Sequence, residues 1–317
     1  MDVLALDAQS SLVAPLFGGV FQGAAYGLLG LGLVLVYKSN RIFNFAQGEF
    51  ATVGGLVAFW FASGATVFGL NLPNVPYLVA LILGVLASVG VALATERVVI
   101  RPMFDRPRVV LVVGTVGVAL LLIALEGLAY PATANLESIS DVLGISPRLG
   151  TVDGVAILYE DIIKLIALAV LAVGSFLFFR YTATGTAILA VSQDATAARV
   201  VGISVERISM ITWGFAGLLG GVAGVVLSLP GSSLFPGVFT GTALTTAFAA
   251  AVLGGMTSLP GAFVGGLGMG LIEAFANADV KYIPGLDTLH GSGEVTVAVF
   301  LLLVLLVRPR GLLGKAA

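Results

Sequence analysis

The stretch RYTATGTAILAVSQDATAARVVGISVERI, residues 180–208, is a polar interruption in an otherwise apolar chain. It carries Arg180, Arg199 and Arg207 together with Asp194 and Glu206, and it separates two apolar runs of membrane-spanning length. Basic residues beside transmembrane ends stay on the cytoplasmic side. The stretch is therefore assigned to the inside, and the other runs are oriented from it. Within it, Gly185 to Gln193 is small and apolar, and Ala195 to Val201 is built of helix formers. A short helix, a turn and a second short helix that ends at Gly202 as its C-cap are expected. Such a module is either a docking surface for a cytoplasmic partner or a plain amphipathic loop between two spans.

Composition agrees with a membrane protein. The 317 residues are 58% hydrophobic before the 42 glycines are counted, and only 10% are charged. Mean hydropathy is +1.09. Soluble domains are about 45–50% apolar with glycine included and about 25% charged. There is no cysteine, hence no disulfide or thiol chemistry, and the single histidine, His290, sits in a Gly/Ser-rich loop where it reads as solvated rather than metal-binding. Asp2 and Asp7 stand where a secretory signal would be basic, so no cleaved signal peptide is expected. The formal charge of −2 says nothing about a partner, and no nucleic-acid partner is expected.

Nine apolar runs approach span length, at about 15–37, 44–68, 77–95, 109–130, 162–179, 208–229, 240–256, 262–278 and 295–307. The expected fold is all-α, a polytopic transmembrane helix bundle of about nine spans. A re-entrant or broken helix would make it eight to ten. With residues 181–207 inside, strict alternation gathers Lys38 and Arg41; Arg97, Arg101, Arg106 and Arg108; Arg180, Arg199 and Arg207; and Arg308, Arg310 and Lys315 on that side, 12 of the 15 Lys and Arg. Only Arg148, Lys164 and Lys281 fall outside. The N-terminus is thus placed outside and the C-terminus in the cytoplasm, in a single transmembrane domain covering 1–317. The external loop 131–161 is the longest. Its second half alternates enough for a small hairpin across Val152 to Gly154, and it reads as a disordered connection or a docking surface for an outside partner.

Glycines repeat at four-residue spacing in Gly23/Gly27, Gly217/Gly221, Gly220/Gly224, Gly261/Gly265 and Gly266/Gly270. Small residues so placed let helix backbones approach. With glycine this frequent some of these pairs are expected by chance, and they speak for a tight bundle rather than for a substrate.

No Gly-x-x-x-x-Gly-Lys-Ser/Thr phosphate loop is present, the nearest string being Gly311 to Ala316. No nucleophile–base pair suggests an enzyme, so no catalytic residue is assigned, and no metal-ligand cluster is visible. Polar residues at membrane depth are few. The densest group is Asn44, Gln47, Gly48 and Glu49 at the start of the second run. A charge near the bilayer centre costs about 2.5–3.5 kcal/mol on insertion scales, so such a group is kept where it faces a bundle interior or a water-filled path. A second reading needs no substrate: Asn44 as N-cap, Gln47 completing a capping box and Glu49 at the positive end of the helix dipole. Glu126 and Glu273 read as interfacial. Thr240, Thr242, Thr245 and Thr246 form a hydroxyl-rich stretch that either bonds its own backbone or lines a path.

NFAQGEF (44–50), ERVVIRP (96–102), GTAILAVSQDATAARVVGISVERI (185–208), AFAAAVLGGMTSLPGAFVGGLGMGLIEA (247–274) and the ending LLLVLLVRPRGLLG (301–314) together resemble the branched-chain amino-acid (LIV-type) permeases of ABC transporters. Their order and the ending look like the first of the two permease types that such systems pair. The resemblance implies an importer subunit in a prokaryotic plasma membrane. It would work with a second permease subunit, two cytoplasmic ATPase subunits that bind the ATP, and an external solute-binding protein; no cofactor would sit in this chain. It also implies that the Glu-Ala-Ala-x-x-x-Gly loop of ABC importers corresponds to Thr196 to Gly202, with threonine at the glutamate position, so that Gly185, Asp194, Ala197, Ala198, Arg199, Gly202 and Arg207 would serve ATPase docking. Asn44, Gln47, Gly48, Glu49, Thr242, Thr245 and Thr246 are the corresponding path candidates. Related systems carry urea, short amides or aromatic acids, and an ATPase-independent transporter or channel, or a membrane scaffold, stays open as an alternative. Nine spans also differ from the even count drawn for relatives, which would make a segment near Asn40 or Ser258 re-entrant.

Overall fold

A computed structural model of the chain describes residues 13–130, 148–152, 155–228, 234–279, 292–307 and 311. Twelve helices account for nearly all of them. The first, α1 (Val13–Asn40), is the axis of the bundle: 89% of its apolar window is buried, against 28% for each of α3 (Tyr77–Thr95) and α4 (Arg108–Ala129). Around α1 pack α8 (Val205–Leu227), α11 (Leu259–Asp279) and α10 (Ala243–Gly254), while α2 (Gln47–Ser63) and α3 close against α8. Leucines and valines of α3 and α4 such as Leu78, Ile82, Leu86, Val113, Leu120 and Leu128 are exposed, as lipid-facing side chains of a spanning helix would be.

Each of the nine apolar runs contains a helix, but their lengths differ. Five helices are long and apolar enough to cross a membrane, and the pair Leu165–Tyr181 and Ala183–Gln193, bent by 79°, makes up to six. These last are α5 (Tyr159–Tyr181) and α6 (Ala183–Gln193). The remaining three runs hold shorter helices: α2 with 17 residues, α10 with 12, and α12 (Ser292–Val307) with 16. At 1.5 Å per residue α10 is about 18 Å long, well short of a bilayer core of about 30 Å. The second run also ends sooner than its hydropathy predicts. Gly64 caps α2 with φ +66°, and the chain turns into a two-residue hairpin, β1 (Thr66–Val67) with β2 (Leu70–Asn71). In the long loop, β3 (Arg148–Val152) pairs antiparallel with β4 (Val155–Leu158), the hairpin that the alternation predicts. The rest of that loop, the C-terminal basic cluster and His290 lie outside the described residues.

The glycine pairs are used, and by different neighbours. On α1 and α11, Gly23 and Gly27 meet Gly266 and Gly270; a Cβ added at Gly23 would stand 2.8 Å from the Gly266 carbonyl oxygen. The overlapping pairs of α8 serve two partners. Gly217 and Gly221 face α3, where added Cβ atoms would lie 2.6 Å from Ala92 and 2.8 Å from Ser88, whereas Gly220 and Gly224 back onto Phe50 and Ala51 of α2. Ser88 seals this three-helix contact by donating to the carbonyls of Phe50 at 2.7 Å and Gly217 at 2.8 Å.

Candidate functional site: two helix breaks and the module at 181–207

Between α1 and α2 the chain leaves helical geometry at residues 41–46. Arg41 has φ +55°, unusual for a residue with a side chain. It is held there by its guanidinium, which donates to the Ser192 carbonyl at the end of α6 at 2.5 Å and lies over the Tyr37 ring. Asn40 donates to Ser209 of α8 at 3.0 Å. The break runs inward from there. The Phe45 N–H donates to Thr115 Oγ1, eight residues into α4, and Gln47 Nε2 donates to the carbonyl of Ala216, in the middle of α8. Helix α2 therefore starts part-way across the bundle. Non-helical backbone at such depth is tolerated where protein or a cavity surrounds it.

Asn44 organises that start. Its Oδ1 accepts from the Ala46 N–H at 3.1 Å, and its Nδ2 donates to Gln47 Oε1 at 3.3 Å. The cap expected from the sequence is not formed: α2 begins at Gln47 with Ala46 at the N-cap position and no side-chain cap bond, and Asn44 instead closes a turn on the Ala46 N–H just before the helix. The reciprocal half of a capping box is not formed either, since Gln47 bonds the Asn44 side chain and Ala216 rather than the Asn44 N–H.

The second break precedes α10. Residues 234–242 fold into a tight segment with one helical turn, α9 (Val238–Gly241), entered through Gly237 at φ +76°. Tyr130 donates to the Leu234 carbonyl at 2.6 Å, Gly237 N–H to Glu126 Oε2 at 3.1 Å, and Phe239 N–H to Thr52 Oγ1 at 3.4 Å, pinning the segment to α4 and α2. The two breaks flank a half-open cavity of about 310 Å³ lined by Leu33, Phe43, Asn44, Phe45, Thr240, Leu244, Thr245 and Phe248. Short, interrupted helices at matching places in a bundle are where transporters build their binding sites.

The candidates from the sequence are distributed unevenly about it. Asn44 and Thr245 line the cavity, and Gln47 is buried next to Asn44. Gly48 is in backbone-tight contact with Thr240. Thr242 is exposed and bonds the Val238 carbonyl, while Thr246 turns away to Glu273 of α11, which also accepts from Tyr26. Glu49 is fully buried and beside Glu126 and Thr240. Glu126, which its place near the end of a span made interfacial in the sequence, is 5% exposed and part of the interior. Glu126, Thr240 and Arg41 are the residues that sequence reasoning left out of the site. The threonine run was visible there; the carboxyl pairing across two spans and the left-handed Arg41 were not.

The module at 181–207 folds as its sequence predicts. Thr182 accepts from the Gly185 N–H at 2.9 Å where α6 turns away from α5, and a side chain at Gly185 would run into the Phe178–Phe179 backbone. Asp194 caps the one-and-a-half-turn helix α7 (Ala195–Val200), accepting from the N–H groups of Thr196 at 2.8 Å and Ala197 at 3.0 Å. Gly202, at φ +85°, ends it, with the Ile203 N–H returning to the Ala198 carbonyl, a Schellman closure. Arg199 pairs with Glu206 at 3.4 Å on the surface. Of the docking candidates, Asp194, Ala197, Arg199, Gly202 and Arg207 are exposed. Ala198 is buried at 4% exposure and anchors the helix. At the end of α7 two large apolar side chains are exposed, Val200 at 83% and Val201 at 74%.

The ERVVIRP block lies next to this module. Glu96 to Ile100 form a π-helical turn that extends α3, and Arg101 returns to pair with the fully buried Glu96 at 3.0 Å while donating to the Glu206 carbonyl at 3.2 Å. Breaking a buried pair by removing one partner costs about 3–5 kcal/mol. Arg101→Ala is therefore expected to lower stability by about that amount, read as a large fall in thermal midpoint in detergent, whereas an exposed Arg106→Ala should leave the midpoint within about 0.5 kcal/mol of the parent.

The family model described as the permease component of the branched-chain amino acid transport system matches residues 16–308. The high-affinity branched-chain amino acid transport system permease protein LivH of Salmonella typhimurium is 30% identical over 306 residues, covering 95% of this chain and 94% of the relative. LivH of Escherichia coli K12 matches with the same identity and coverage. BraD of Pseudomonas aeruginosa is 30% identical over 304 residues, covering 95% of both chains.

Proposed function

Because the chain belongs to the permease-component family of branched-chain amino acid transport systems, we propose that it is the transmembrane subunit of an ATP-driven importer of branched-chain amino acids. The observation that carries the mechanism is the cavity between the two helix breaks. It is large enough for a small branched solute, apolar on Leu33, Phe43, Leu244 and Phe248, and polar at Asn44, Thr240 and Thr245. The importer sits in a prokaryotic plasma membrane with the 181–207 module in the cytoplasm and the N-terminus outside. It assembles with a second permease subunit, two cytoplasmic ATPase subunits that hold the ATP, and an external solute-binding protein.

The cycle is alternating access. The ATPases grip the exposed face of α7 around Thr196, Arg199, Val200 and Val201. Movement there reaches the membrane through two short connections. Arg41 ties α6 to the first break, three residues from Asn44 on the cavity wall, and Arg101 ties α3 to the start of α8. A shift of the module thus re-aims residues 41–46 and changes which side the cavity faces.

The test is reconstitution of the two permeases and the ATPases in proteoliposomes with the binding protein. ATP-dependent uptake of labelled leucine is expected; uptake without ATP would mean an ATPase-independent carrier, and uptake of urea or amides alone a different substrate. Orientation is tested alongside, since the chain contains no cysteine to obscure introduced ones. Thr196→Cys is expected to react with an impermeant maleimide only in inverted vesicles, and Asn71→Cys, on the exposed β1–β2 hairpin, only in intact cells. The reverse labelling at both would invert the bundle.

A further inference from the structure

Four of the buried side-chain oxygens that make no well-aligned hydrogen bond lie together: both carboxyl oxygens of Glu49, Oε1 of Glu126 and the hydroxyl of Thr240, whose nearest polar neighbours are one another. They belong together: Glu49 of α2 has Glu126 of α4 and Thr240 of the second break as its electrostatic neighbours, and Glu126 has Glu49. Glu49 is fully buried and Glu126 is 5% exposed. Among the described residues no lysine, arginine or histidine contributes to the surroundings of either carboxyl; besides one another and the Thr240 hydroxyl, the donor on the pair is the Gly237 N–H on Glu126 Oε2. Buried polar groups in native proteins find partners, and each that does not requires an explanation. Carboxyls at membrane depth are retained for function and need a partner of opposite charge.

The partner is defined by what the cluster offers. Two facing carboxyls offer more acceptor positions than the Thr240 hydroxyl and the Gly237 N–H can fill, so the complementary ligand is a cation rich in donors. A primary ammonium has three N–H donors and no acceptor. Thr240 joins this cluster to the cavity, because the same residue lines the cavity wall and adjoins Glu49. A solute in the cavity is one side chain away from the carboxyls.

We propose that Glu49, Glu126 and Thr240 form the site that receives the ammonium group of the transported amino acid when it occupies the cavity. This rests on the functional reading given above and adds a specificity-determining role for Glu126 and Thr240. The hydrocarbon part of the solute stays against Phe43, Leu244 and Phe248. An ammonium-bearing solute is accepted because it brings a positive charge and N–H donors to the two facing carboxyls, and a chain lacking the ammonium is rejected because it brings neither.

The experiment uses the assembled complex in nanodiscs, without the binding protein, and measures labelled leucine bound at equilibrium. Competitors are isopentylamine, which keeps the branched chain and the ammonium, and 4-methylpentanoate, which keeps the chain and the carboxylate. Isopentylamine should displace leucine and 4-methylpentanoate should not. Glu126→Gln should weaken leucine binding by about tenfold or more, the scale of a lost hydrogen bond to a charged group, and should abolish competition by the amine. Thr240→Val, which removes only the hydroxyl acceptor, should weaken it by about threefold to tenfold, and covers the case in which Glu126→Gln fails to assemble. Equal displacement by 4-methylpentanoate, unchanged affinity in an assembled variant, no measurable binding by a parent complex that transports leucine, or displacement of leucine by sodium in place of choline would each overturn the proposal. The last outcome would give the site to an alkali cation. Failure of the parent complex to take up leucine overturns the functional reading and this site with it. Normal uptake with unchanged binding in the variants overturns the site alone.

Discussion

A complex carrying Val200→Glu is expected to insert and fold normally, to lose substrate-stimulated ATP hydrolysis, and to retain little uptake. Val200 and Val201 are 83% and 74% exposed at the tip of a helix otherwise surrounded by charge. No described residue covers them. Burying one valine side chain in an interface contributes about 1.5–3 kcal/mol, so losing the contact alone weakens association by about tenfold to a hundredfold. Placing a carboxylate in an apolar contact adds desolvation on top of that. The neighbouring Ala198 separates two effects. It is buried under α7, so Ala198→Glu should disrupt the module itself, whereas Val200→Glu should not. The readings are co-purification of the ATPases, stimulated hydrolysis and the thermal midpoint of the permease pair. Normal ATPase recovery and normal stimulation with Val200→Glu would remove α7 from the interface.

The division between what the sequence discloses and what it withholds follows from range. The 181–207 module is governed by local rules: an aspartate that bonds the two N–H groups after it, a glycine at positive φ and a serine that caps the next helix lie within four residues of what they control. All of that is legible along the chain. The hydropathic runs are legible too, because each helix must shed its backbone polarity internally. Their true lengths are not. Helices α2 and α10 are short because the residues before them are held by distant partners, Phe45 by Thr115 and Phe239 by Thr52, and no window of sequence contains both ends of such a bond. The same holds for the site. Asn44 and the threonines are conspicuous as polar residues in apolar surroundings. Glu126 looks like the outer end of a span until α4 is packed against the second break at Gly237. The glycine pairs show the converse case, since the spacing is plain in the sequence while the neighbour that each pair faces is set by the packing.

Glu49→Gln is expected to reduce uptake per assembled complex by an order of magnitude or more, with expression and thermal stability close to the parent. Two roles compete at this position. Glu49 stands in the first turn of α2, where a carboxylate favours the helix dipole by about 0.3–1 kcal/mol. If that were its whole contribution, glutamine, of nearly equal shape, would leave transport almost intact. The surroundings argue otherwise. A dipole partner at a helix start is ordinarily solvated, yet Glu49 is fully buried, has no cation beside it among the described residues, and is faced by a second carboxyl. Holding such a group in the interior costs several kcal/mol, far more than the dipole returns. The start of α2 is also fixed without it, by Asn44 on the Ala46 N–H and by Gln47 on the Ala216 carbonyl. Asn44→Ala should accordingly destabilise the helix start by about 0.5–2 kcal/mol and lower the thermal midpoint, while Glu49→Gln should spare stability and impair transport. That opposite pattern distinguishes a residue that fixes the helix start from a path residue. Near-normal uptake by Glu49→Gln in proteoliposomes would assign the first turn of α2 to helix capping and leave the path to Thr242 and Thr245 on the opposite break.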